Sequence, residues 1–336
     1  MLTLLISAVA LSSANRALPY TLTVLGTDVY PYGINASAHT AGKKVVSGVD
    51  RAFFHDGTNF TIIPLLSGGT GVNQARALND SDVITGWCTV AGPTDKAFSY
   101  DVSSTTLTGI SITGSPTWGL AINSSGTITG WSASLQRAFI WPSGGSASAL
   151  NAPNVSGLHS FSGGINASGQ IAGSAKFVIS GQILAMRYTS PSTYDQIGTT
   201  GQPSIGLAIN SSGHVCGTLN EGWPGLALGP LSGSGGSGIG STELAFYWDG
   251  TTRTTIAAAG SRALALNSSD VVVGADTNGA FIYSGGTLTD LNTLVSMPTG
   301  YFLSAATGIN DNGEICGLGI RPAAGGGMEE FGFILS

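Results

Sequence analysis

Apolar residues recur in this chain in short runs of alternating character, set apart by links rich in Gly, Ser, Asn and Asp, as in TITGW at 127–131 and RAFIW at 137–141. Alternation with a period of two predicts strands, and links of that composition predict tight turns between them. One stretch shows the order of the elements: GLAIN at 119–123, a turn at Ser124-Ser125-Gly126, TITGW, RAFIW, and a last apolar stretch near Ala149-Leu150. The prediction is four short strands joined by short connections.

The same set recurs along the chain. Asn35, Asn79, Asn123, Asn166, Asn210, Asn267 and Asn310 stand 44, 44, 43, 44, 57 and 43 residues apart; each follows Ile or Leu, and each is followed seven residues later by Gly. A fixed period in this range marks a repeat architecture. The Asn-x-x-Gly link reads as a hairpin turn, in which Asn accepts a local backbone hydrogen bond and Gly supplies the left-handed conformation. Asp82 and Asp270 take the Gly slot in two units, as residues that tolerate positive φ. Ala38 takes it in the first, where the turn is expected to be irregular.

Two positions before each Asn stands a small residue, Gly33, Ala77, Ala121, Gly164, Ala208, Ala265 or Gly308, as the convergence of innermost strands around an axis demands. The third strand repeats a small residue, an apolar one, any residue and usually an aromatic, as in Ala138-Phe139-Ile140-Trp141. The apolar member is expected between blades and the aromatic over the blade edge. A strand-like segment, Tyr20 to Gly26, precedes any first strand, and the chain stops on a third strand. The N-terminal strand should therefore complete the last blade and leave no open edge. The fold class is all-β: a seven-bladed β-propeller of four-stranded antiparallel blades, closed by the N-terminal strand.

Composition changes the picture only in part. Charged residues are 9% of the chain and the net charge is −6, with 12 Lys and Arg and no basic cluster, so nucleic acid is excluded as a partner. Residues 1–14, an apolar run followed by Ser12-Ser13-Ala14, read as a signal peptide, and 15–336 as a single propeller domain carrying a Gly/Ser-rich inserted loop at about 219–242. No segment of the mature chain is long and apolar enough to span a membrane. Cys216 and Cys316 occupy the same slot of non-neighbouring units and Cys88 follows Trp87, which predicts three separate buried thiols.

The units resemble the HAF family of extracellular repeats, whose copies run as a small residue, Ile-Asn, two variable residues and Gly, an apolar strand ending in Gly, then His-Ala-Phe-x-Trp and Asp-Leu-Gly. GLAINSSGTITGW with RAFIW, and GINASGQIAG, match closely; the His is replaced by Arg51, Lys96 or Arg137, and Asp-Leu-Gly survives as Asp290-Leu291. The resemblance spans about 20–335 and implies a secreted or surface protein, mostly bacterial, with no assigned activity.

Candidate chemistry is sparse. Propeller glycosidases hold paired carboxylates at the channel mouth, yet the six residues before each repeat Asn contain no Asp or Glu. His39, His55, His159 and His214 lack ligand spacing, and acid-bearing turns such as Asn79-Asp80-Ser81-Asp82 and Asn310 to Glu314 read as turns, not calcium loops. No cofactor is called for. What remains is surface: Tyr30, Trp118 and Phe161 all lie five residues before a repeat Asn, at the level where first strands enter from the variable-loop face, and Trp223 on the blade-five insertion reaches toward them. These four are the candidate ligand-binding residues, with packing between blades as their alternative role. The expectation is a secreted, monomeric, non-enzymatic binding or structural module for a glycan or surface protein; the alternative is a carbohydrate-active propeller of glycosidase or lyase type.

Overall fold

A computed structural model describes residues 19–92, 94–112, 116–150, 155–177, 180–220 and 239–336, with the side chains of 155–159 left out. The signal-peptide segment 1–14 and most of the inserted loop, Trp223 included, lie outside the described residues. Seven four-stranded sheets form a ring. Their inner strands are Val29–Ile34, Gly69–Leu78, Thr117–Ile122, Val155–Ile165, Ser204–Ile209, Arg262–Leu266 and Phe302–Ile309, and these define blades one to seven. Among the described residues the only helical element is a 3-10 turn, Leu291–Thr293.

Blade seven takes its outer strand from the other end of the chain. Leu22–Thr27 pairs antiparallel with Met328–Leu335, from Leu22 opposite Leu335 to Thr27 opposite Phe331. Backbone bonds between Thr21 and Ser336 continue the seam. The edge that the third strand would otherwise expose is thus paired within the molecule.

Every inner strand carries a β-bulge three residues before its Asn, as between Gly119 and Ala121 or Gly206 and Ala208. Two residues before the bulge a carbonyl of the inner strand stands against the second strand, which explains the invariant Gly seven residues after each Asn. A Cβ on Gly42, Gly86, Gly130 or Gly217 would overlap the carbonyl oxygen of Tyr30, Gln74, Trp118 or Ile205. The small residue two before each Asn meets the next inner strand: a Cβ on Gly33 would lie 3.4 Å from Cα of Ala77, and one on Gly164 3.1 Å from Cα of Ala208.

The apolar third-strand residues fill the spaces between blades, Phe53, Phe98, Phe139, Met186 and Phe246 being fully buried. The aromatics two positions later do not cover the edge. Trp141, Tyr188 and Trp248 share the face of their apolar neighbours, because a strand repeats every two residues, and enter the same clusters. The turn at Ala38 is not irregular either. Ala38 adopts φ 58°, close to the 56° and 61° of Asp82 and Asp270, and its N–H donates to the Asn35 carbonyl at 3.0 Å.

Candidate functional site

Antiparallel connectivity puts the Asn turns on one face of the ring. The loops between second and third strands and between blades lie on the other. At the turn face the repeat Asn does two things. Its Oδ1 accepts the N–H four residues on, closing its own turn, in all seven blades. Its Nδ2 donates to the backbone carbonyl of the next blade's Asn: Asn35 to Asn79, then to Asn123, Asn166, Asn210, Asn267, Asn310 and back to Asn35, at 2.8–3.2 Å. Seven bonds close a circle around the channel.

Inside that circle lies an aliphatic collar. The Ile or Leu before each Asn is partly buried in the first blade and buried in the other six, where exposure is a uniform 8–9% for Leu78, Ile122, Ile165, Ile209, Leu266 and Ile309. Outside it, the residue after each Asn forms a rim. Collar, Asn and rim residues of blades seven, one, two, three and four line a concavity of about 240 Å³, whose rim holds two carboxylates, Asp80 and Asp311. Each spends one oxygen on the preceding blade, Asp80 accepting the Ala36 N–H at 2.9 Å and Asp311 the Ser268 N–H at 2.8 Å. In the sequence the turns that carry these two acids read as ordinary turn formers, weighed against calcium loops and not as part of a mouth. The signal was the position directly after the Asn, acidic in two of seven units.

Two further clasps reinforce the turn face. His39 Nδ1 lies 2.9 Å from Asp82 of the next blade, and His214 Nδ1 2.7 Å from Asp270. Asp82 and Asp270 also accept from Asn35 and Asn210, both at 2.8 Å. The two units with Asp in the Gly slot therefore follow the two that carry His four residues after Asn. The Tyr247 hydroxyl joins the second pair, 3.0 Å from His214.

At the loop face the residue five before the Asn reaches the preceding blade at or beside its third strand in blades one, two, three, five and six. Trp118 Nε1 donates to Asp95 at 2.9 Å, and the indole stacks on Trp131 with centroids 5.2 Å apart. Gln74 donates to Asp50 at 2.9 Å, and Arg262 forms a bidentate, buried pair with Glu243. Burial, and then the neighbouring Glu330, push the Tyr30 phenol above its ordinary value, and Lys43 Nζ lies 4.5 Å from its ring centroid. Phe161 is 2% exposed among Leu120, Ile183 and Ile205. Tyr30, Trp118 and Phe161 thus stand at one level of the ring, each in an interface between blades. Trp223 lies outside the described residues.

The three cysteines are free and buried, and burial pushes the thiols of Cys216 and Cys316 up to about 12. Among the described residues, no group of three or more His, Cys, Asp or Glu could hold a metal ion, and no helix is long and apolar enough to cross a membrane.

Neither a protein-family profile nor a curated protein matches the chain in sequence, so the HAF pattern stands as a resemblance of residues. Solved structures match its fold. Virginiamycin B lyase from Staphylococcus aureus aligns over 94% of this chain and 99% of its own, with a TM-score of 0.57 at 12% identity. YCF48 from Cyanidioschyzon merolae aligns over 94% and 97%, with a TM-score of 0.51 at 11% identity. YCF48 bound to D1 peptide aligns over 94% of both chains, with a TM-score of 0.50 at 11% identity. At such identities the likeness shows a shared propeller fold alone, one common to a lyase and to a protein bound to a peptide.

Proposed function

We propose that the protein is a secreted, non-enzymatic binding propeller that takes its ligand at the turn-side mouth of the channel. The observation that carries this reading is the concavity itself. Its Asn rim has its carboxamides and carbonyls committed to the ring, its throat is aliphatic, and its acids each hold a neighbouring backbone N–H. Such a surface offers shape, apolar contact and fixed negative charge, which suit binding. Ligand binding by a propeller of similar shape has a precedent in YCF48, which is bound to D1 peptide. The HAF-type repeats favour an exported protein, and the partner classes are a glycan or a surface protein.

The test is a screen of the purified chain on glycan and peptide arrays, repeated with D80N/D311N and with W118A. Retention by the wild type and W118A with loss in D80N/D311N supports the turn-side mouth. Loss in W118A at near-normal stability moves the site to the loop face with Tyr30 and Trp118. Turnover of an arrayed glycan that depends on Asp80 and Asp311 would overturn the non-enzymatic reading in favour of the carbohydrate-active alternative.

A further inference from the structure

The turn-side concavity has its chemistry in layers, and the layers restrict what fits. Deepest is the collar, where Leu78, Ile122 and Ile165 present branched aliphatic carbon. Outermost are Asp80 and Asp311, from blades two and seven, which flank blade one, whose own rim residue is Ala36. None of the residues lining the concavity is basic, so the carboxylates meet no countercharge there. Each has one oxygen fixed by a backbone N–H of the preceding blade, which orients the carboxyl group without neutralising it. On the far side of the mouth the rim is Ser124 and Ala167, small and uncharged.

A ligand complementary to this site carries branched apolar carbon that goes in first and a cation that stays at the rim on one side. A lysine side chain has the reverse order, since its ammonium would travel deepest into the collar. The amino-terminal residue of a peptide has the required order, because its α-ammonium and its side chain leave the same carbon. The rest of the peptide then leaves over Ser124 and Ala167. The volume, about 240 Å³, lies below the roughly 300–1,000 Å³ of sites for drug-sized ligands and suits one residue better than several.

We infer that the turn-side mouth binds peptides by their free amino terminus, with a branched aliphatic first residue in the collar and the α-ammonium drawn to the side of the rim that carries Asp80 and Asp311. This rests on the reading of the turn-side mouth as the binding site and names the ligand class.

The probe is an octapeptide beginning Leu-Gly-Ser, fluorescent at its C-terminus, titrated into the full chain by anisotropy at low salt. Its comparators are the N-acetylated peptide and one beginning Gly-Gly-Ser. The expected result is saturable binding of the free Leu peptide, weakened tenfold or more by acetylation, by the Gly start, and by D80N/D311N. These substitutions keep an oxygen acceptor for the neighbouring N–H, and unchanged thermal melting of the variant confirms an intact ring. Equal binding of free and acetylated peptides overturns the inference, as does binding that D80N/D311N leaves unchanged. Failure of the peptide to bind while an array ligand depends on Asp80 and Asp311 overturns the peptide class and leaves the turn-side site standing. Array binding that is indifferent to both acids overturns the two together.

Discussion

At the turn face each blade reaches its neighbour through the same bond, an Asn carboxamide N–H to a backbone carbonyl. Five residues earlier on the same inner strands the interfaces differ. There Gln74 meets Asp50, Trp118 meets Asp95, Arg262 meets Glu243, and Ile205 packs against Ile183. The contrast follows from what serves as acceptor. A backbone carbonyl is present in every blade whatever its sequence, so one residue type can clasp all seven interfaces. Five residues before the Asn both partners are side chains, and each interface needs its own matched pair, whereas one residue earlier Asn73, Thr117, Ser160, Ser204 and Ser261 each accept the backbone N–H of a third-strand Ala of the preceding blade. Uniformity where one partner is backbone and divergence where both are side chains follow from that choice, and the turn-side mouth inherits a near-symmetric frame on which Asp80 and Asp311 are the departures.

The largest effect is expected where both ends depend on one seam. Removing residues 19–27 takes away the strand opposite Phe331 to Leu335, and a soluble chain with cooperative unfolding should be lost. Urea unfolding followed by tryptophan fluorescence checks this, and an unchanged transition would show that the ring closes without the seam.

At the loop face, R262A strands Glu243 in a site where both side chains are nearly inaccessible. The expected loss is about 3–5 kcal/mol, and the double substitution R262M/E243L should recover most of it, as apolar replacement of a buried ion pair often does. Phe161→Ala should cost a similar amount, about 3–5 kcal/mol, because a fully buried aromatic leaves a cavity. A cost under about 1 kcal/mol by chemical denaturation would instead free Phe161 for a role at the mouth.

At the turn face, N123A should cost about 1–3 kcal/mol by leaving buried groups unpaired. N123D discriminates between the two jobs of the residue. It keeps the oxygen that accepts Thr127 N–H but sets an oxygen against the Asn166 carbonyl, where Nδ2 now donates at 3.1 Å. It should therefore be no more stable than N123A. Stability near wild type for N123D would mean that only the local turn matters.

A gain is expected at Ala38, which holds φ 58° without being Gly. The left-handed conformation costs a residue with a Cβ about 1–2 kcal/mol, part of which Gly returns through its freer unfolded chain. A38G should thus stabilise by about 0.5–1 kcal/mol, seen as a rise in Tm. The smallest effect is on pH dependence. Burial holds the His55 imidazole below its ordinary value, opposed by the nearby Asp56, and Gly57 N–H donates to its Nδ1 at 3.2 Å. The folded chain then binds fewer protons than the unfolded one, so this contribution is complete above pH about 6.5 and is lost as pH falls below it. Tm measured from pH 8 to pH 5 should fall more steeply in the wild type than in H55F.

How much of this the sequence held depends on distance along the chain. The period of Asn35 to Asn310, the alternating strands and the unpaired segments at both ends determined a seven-bladed ring closed by the N-terminal strand, because each is a local pattern or a count. The turn role of Asn, through Oδ1, was equally legible, since its partners lie two and four residues away. The second role was not. Nδ2 finds its acceptor 43 to 57 residues further on, or 275 residues back across the seam, and only ring closure sets that neighbour. The invariant Gly announced a constraint without its cause, which is a carbonyl of the paired inner strand that no spacing reveals. Tyr30, Trp118 and Phe161 were placed at one level by counting, yet whether an aromatic faces the axis or the next blade depends on side-chain direction after closure. Asp80 and Asp311 likewise came to share one mouth only when ring closure brought blade seven next to blade one. Local spacing determined the blades; contacts across the ring decided which of their residues meet.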